Sequence, residues 1–175
     1  MLTLAQREKN SRIMHTTVVL STVGTFTDSS VLNAPHVAGL YFVYKEDGKG
    51  NRKLLYIGEA DDVNKRLNEH HEKRCEWNMQ LLPGEDAKII YLILTSPLLV
   101  SSHLRKSVEN ACVFKAKPTL NVQGKDEFCY GGFMKVVFEG ETPAGFYGYF
   151  ILFDWHSERM KYLLNLLGNV RKRNV

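Results

Sequence analysis

At 175 residues and 44% hydrophobic side chains, the chain is long enough to bury a substantial core and has no need to be divided into separate domains. A net charge of +4 suits a nucleic-acid partner without establishing one, and no apolar run is long enough for a signal peptide or a membrane span, so a cytoplasmic or other intracellular protein with no membrane partner is expected. The three cysteines, Cys75, Cys112 and Cys129, are odd in number and lack C-x-x-C spacing, which supports neither a zinc site nor a disulfide framework.

The chain opens on a polar segment, LAQREKNSR, followed by Val18-Val19-Leu20, a short strand or part of an arm. TFTDSSVLNAPH then reads as a loop in which Pro35 rules out a regular central strand, so residues 1–37 are expected to form an N-terminal arm and loop. Residues 39–44, GLYFVY, and 53–57, KLLYI, are aromatic and β-branched runs. The intervening KEDGKGNR has no apolar side chain, the composition of an exposed hairpin loop. An antiparallel pair is therefore expected, ending at Gly58, where a Cβ would be unwelcome. Asp61 or Asp62 is placed to cap a helix reaching about residue 74, with Val63 and Leu67 on its buried stripe. Arg66 and His70, four apart on that helix, would reach the same volume above the strands.

Pro83-Gly84-Glu85-Asp86 is a turn, and the nearly continuous apolar run KIIYLIL, residues 88–94, predicts a third strand buried on both faces. A helix is expected over residues 98–115, with Leu104, Val108, Ala111 and Cys112 inward, Arg105, Lys106 and Glu109 outside or at the boundary, and Pro118 beyond its end. FMKVVF, residues 133–138, and FYGYFILF, residues 146–153, predict a further hairpin joined by EGETPAG. Met160, Leu163, Leu164 and Leu167 fall at helical spacing, and the last six residues form a basic tail.

Gly39-Leu40-Tyr41, Tyr56-Ile57-Gly58, Arg66, His70, Val108-Glu109-Asn110 and Pro118-Thr119-Leu120-Asn121 occur in an order that resembles the signature of the GIY-YIG nuclease superfamily. The resemblance covers residues 38–122, about half of the chain, with Leu40 in place of the isoleucine of the family name. It implies an α+β fold with a small three-stranded antiparallel sheet flanked by helices. Residues 123–175 would be a C-terminal extension, a hairpin and helix packed on that core. The implied activity is hydrolysis of DNA phosphodiesters with one divalent metal, Mg²⁺ with Mn²⁺ as a substitute.

The residues carried over suit that chemistry. Arg66 offers a planar donor fork to phosphate oxygens, and Glu109 would hold a Mg²⁺ that keeps most of its waters. Tyr41 is the leading general base, its phenol pKa lowered by Arg66 and the metal, and His70 is the alternative at its ordinary pKa of about 6.5. Tyr56 and His70 would position the water or the phosphate, and Asn121 is a structural cap or turn former. Lys65, Lys73, Arg74, Lys115 and Lys117 are expected on the DNA backbone, where contacts position the duplex without reading its sequence. Double-stranded DNA is the expected partner. Restriction-like cleavage, with a homodimer if a symmetric site is cut on both strands, stands first; a repair, recombination or degradative nuclease, or a noncatalytic DNA-binding module, stands behind it.

Overall fold

A computed structural model describes residues 14–69, 73–126, 128, 130 and 132–153. Six strands form one mixed sheet: β1 (Met14–Thr27), β2 (Gly39–Asp47), β3 (Arg52–Ala60), β4 (Ala87–Thr95), β5 (Gly132–Glu139) and β6 (Tyr149–Phe153), in the spatial order β3-β2-β4-β1-β5-β6. Among the described residues three α-helices accompany it, α1 (Val63–Asn68), α2 (Arg74–Asn78) and α3 (Ser102–Ala116). Among the described residues, no helix is long and apolar enough to cross a membrane.

The expected hairpin is β2 with β3, paired antiparallel, and its strands run further than the apolar segments, leaving residues 48–51 as the loop. Asp47 makes this tight reversal by accepting from the backbone N–H groups of Lys49 and Asn51. β4 lies against the other side of β2 and is buried from Ile89 to Leu94, as its unbroken apolar run requires.

The sheet has six strands where three were expected. The N-terminal segment, read as arm and loop, is a fourteen-residue strand up to Thr27, rich in Thr and Val. Its first half pairs in parallel with β5, while its second half pairs antiparallel with β4. The C-terminal hairpin β5–β6 is thereby the far side of the same sheet. The residues expected to form a C-terminal helix, 155–167, lie outside the described residues.

Two apolar clusters flank the sheet. On one face, Leu40, Phe42, Ile57, Leu92 and Leu94 pack with α3 through Val108, Ala111 and Cys112, and the cluster continues through Val18, Met134 and Phe150. On the other, Tyr41, Val43, Tyr91 and Ile93 pack with Val63, Leu67 and Trp77 of the short helices.

The helix expected to continue to about residue 74 stops at Asn68, and Glu69 has extended backbone. After Leu67 the positions that should carry on the apolar stripe are His70, His71 and Arg74, so a longer helix would have nothing to bury. His70 and the geometry expected between it and Arg66 lie outside the described residues.

Candidate functional site

β3 is an edge strand of the sheet. Cross-strand register puts Tyr41 opposite Gly58. A Cβ on Gly58 would lie 2.8 Å from Cε2 of Tyr41 and nearer still to its hydroxyl, so the phenol occupies the space a side chain would need. Gly58 is thus a matter of close approach rather than of strand termination; β3 continues to Ala60. Gly39 has a similar cause, since a Cβ there would run into the Leu94 carbonyl oxygen of β4. A register shift pairs Val43 with Tyr56 and Tyr44 with Leu54, making Leu55 an extra residue. Regular alternation from Gly58 already puts Tyr56 on the Tyr41 side, and the bulge sends Leu55 into the apolar cluster of that same face. The rings of Tyr41 and Tyr56 are 6.1 Å apart, and Trp77 follows at 5.7 Å from Tyr56.

Arg66 reaches this row from α1. The helix starts where Asp62 accepts a hydrogen bond from Lys65 N at 2.9 Å, and Val63 and Leu67 anchor it to the sheet. Asn64 adds a tether by donating to the Leu32 carbonyl at 3.1 Å. Arg66 itself is exposed, yet its guanidinium donates to the Tyr41 hydroxyl.

The expected lowering of the Tyr41 pKa is not what results. Burial pushes the phenol far above its usual value and the neighbouring Tyr56 adds to this, outweighing the Arg66 hydrogen bond and charge. Tyr41 is therefore a protonated phenol throughout the neutral range.

Glu109 arrives from α3 on the opposite side of the edge. It borders a cleft of about 510 Å³ whose walls include Tyr56, Lys73, Glu76, Asn110 and Asn121. Burial raises its pKa to about 7, the nearby Glu59 carboxylate contributes in the same direction, and Lys106 and Arg66 oppose them. Glu109 also raises the pKa of Tyr41, so the tyrosine, the arginine and the glutamate sense one another electrostatically.

Asn121 closes the cleft floor. Its side-chain amide accepts from Ile57 N at 2.9 Å and donates to Ile57 O at 2.8 Å, while Leu120 N donates to Leu55 O at 2.8 Å. The segment after Pro118 thus acts as a short partner for the free edge of β3, with Asn121 bonded to strand backbone where a cap or turn former was expected.

The basic residues divide. Lys115 and Lys117 are exposed, and Lys65 is exposed in a loose 3.8 Å pair with Glu69. Lys73 stands at the cleft, paired with Glu76 at 2.7 Å. Arg74 turns inward and donates to the Leu67 carbonyl at 2.7 Å, so it closes the end of α1 where a phosphate contact was expected. Arg105 also departs from expectation: it is 6% exposed, pairs with Glu59 through Nε, and donates from Nη1 to Leu99 O at 2.8 Å. Sequence reading missed Glu59 and Arg105 as a pair. The one signal was the position of Glu59 directly after Tyr56-Ile57-Gly58.

A Mg²⁺ that retains most of its hydration needs one or two carboxylates and room for water. Glu109 on an open polar cleft fits that requirement, and among the described residues no group of three or more His, Cys, Asp or Glu side chains is arranged to hold a metal ion. In comparison with known proteins, no family model, curated protein or solved structure matches this chain.

Proposed function

We propose that the chain is a divalent-cation-dependent endodeoxyribonuclease acting on double-stranded DNA. The observation that carries this reading is the proximity near β3 of Tyr41, Arg66 and Glu109, from a strand and two different helices: Arg66 lowers the pKa of both other groups, and Glu109 raises that of Tyr41. Groups so coupled, with Glu109 bordering an open cleft, are suited to a reaction that builds negative charge.

The reaction is attack of water on phosphorus with breakage of the P–O3′ bond. Arg66 binds a nonbridging oxygen and stabilises the charge gathering there. Tyr41, held protonated, orients Arg66 and the phosphate by hydrogen bonding. Glu109 supplies the carboxylate for a hydrated Mg²⁺, which when bound would offset charge on the leaving oxygen. One proton leaves the attacking water and one reaches the 3′ oxygen. The base is Tyr41, where Arg66 and a bound cation together outweigh the burial that raises its pKa, or His70. Loss of the acidic limb of the pH–rate profile, where protonation of the base stops the reaction, in Tyr41→Phe assigns it to the tyrosine, and loss in His70→Ala assigns it to the histidine.

Sequence-specific double-strand cleavage by a homodimer is the leading use, with repair, recombination or degradative cleavage as the alternative. The test is incubation of supercoiled and linear DNA of diverse sequence with Mg²⁺, Mn²⁺ or EDTA. We expect discrete metal-dependent ends, and a fall in rate of about 10²–10³-fold in Arg66→Ala and Glu109→Ala with duplex binding retained. Binding without cleavage by the wild-type protein would identify a noncatalytic DNA-binding module.

A further inference from the structure

We propose that Arg105 and Glu59 are a positioning pair that fixes the height and rotation of α3 against β3, and so holds the Glu109 carboxylate at the cleft. The inference rests on the nuclease reading for its kinetic consequence, but not for its geometry.

Arg105 is nearly inaccessible, and its guanidinium makes two contacts in different elements: the Glu59 carboxylate on β3 and the Leu99 carbonyl in the turn before α3. Glu59 is the next residue after Gly58, whose missing side chain seats Tyr41. Glu109 is one helical turn beyond Arg105, on the same face of α3. The pair therefore links the strand that positions the phenol to the helix that carries the carboxylate.

Among the described residues, the other contacts of α3 with the sheet are apolar, through Val108, Ala111 and Cys112. Such contacts are non-directional and tolerate sliding. A one-residue slip would move the helix by about 1.5 Å and turn Glu109 by roughly 100°, away from the cleft. A buried ion pair contributes little net stability compared with apolar residues of similar size, whereas a fork bonded at two points defines one arrangement. Arg105 also offsets the charge of Glu59, a carboxylate acting on Glu109.

Arg105→Ala alone strands the Glu59 carboxylate and risks loss of the fold, so the decisive variant is Glu59→Met/Arg105→Met, which removes both charges and keeps the volume. Cleavage kinetics and Mn²⁺ binding by calorimetry are measured on the full chain, with Glu109→Gln defining the floor. A folded double variant should show kcat reduced about tenfold or more, KM for DNA within about twofold of wild type, and Mn²⁺ affinity weakened about tenfold. Wild-type kcat and Mn²⁺ affinity in that variant would overturn the proposal. Should the wild-type protein bind Mn²⁺ through Glu109 but cut no DNA, the nuclease reading falls, and the Mn²⁺ comparison alone decides whether the pair positions Glu109.

Discussion

In the proposed nuclease, Glu109 carries opposed demands of folding and chemistry. Its pKa rises from 4.5 to about 7 on folding, so the fold favours the neutral acid. That contribution is fully present below about pH 4.5 and is lost as the pH rises through 7. Glu109→Gln should therefore be more stable than wild type at pH 8, by on the order of 2 kcal/mol, and nearly equal to it at pH 4, as measured by urea unfolding at both values. On the proposed function the same substitution should lower the cleavage rate about 10²–10³-fold, as in Glu109→Ala, since a site kept unfavourable for folding is a common cost of function. Gly58 makes a complementary case. Gly58→Ala places a methyl group against the Tyr41 ring and should cost about 1–3 kcal/mol by denaturant titration, with a loss of cleavage at least as large as that of Tyr41→Phe.

At the level of elements, the free edge of β3 depends on the segment after α3. Asn121→Ala removes both side-chain bonds to Ile57 and should destabilise the protein by about 1–3 kcal/mol. Asn121→Asp should be worse at pH 7 than at pH 4, because its ionised carboxylate would face the Ile57 carbonyl; thermal melts at the two values check this. The elements legible in the sequence are those governed by local chemistry. Asp62 caps α1, the run from Ile89 to Leu94 is buried, and Val108, Ala111 and Cys112 form the inner stripe of α3. What was not legible depends on contacts distant in sequence. Arg105 looks like a surface residue until Glu59 supplies a partner. The polar run from Asn68 to Arg74 could be a helix by propensity, and only the lack of anything to bury ends it. β1 alternates Thr and Ser with apolar residues too irregularly to reveal two different neighbours. The candidate site was legible as residue types and order, whereas its electrostatics required burial, which raised the Tyr41 pKa that Arg66 alone would have lowered.

Across the whole molecule, the C-terminal hairpin is part of the same hydrophobic core as the candidate nuclease half. Met134, Val136, Phe138, Phe146 and Phe150 are buried in the cluster that contains Leu40, Phe42 and Leu94. Arg52 at the start of β3 also bonds Glu141 in the β5–β6 connection. A chain ending at residue 122 should therefore lack a cooperative transition, while the full chain unfolds in one, as calorimetry and hydrogen exchange would record. The strand that joins the two halves is β1, whose parallel partner begins at Gly132, opposite Met14. During synthesis this first strand emerges more than a hundred residues ahead of the one it must lie beside. The sheet is thus completed late and across a long loop, so refolding should be slow for a chain of this size, and the waiting strand edges are where newly made protein is most exposed to aggregation.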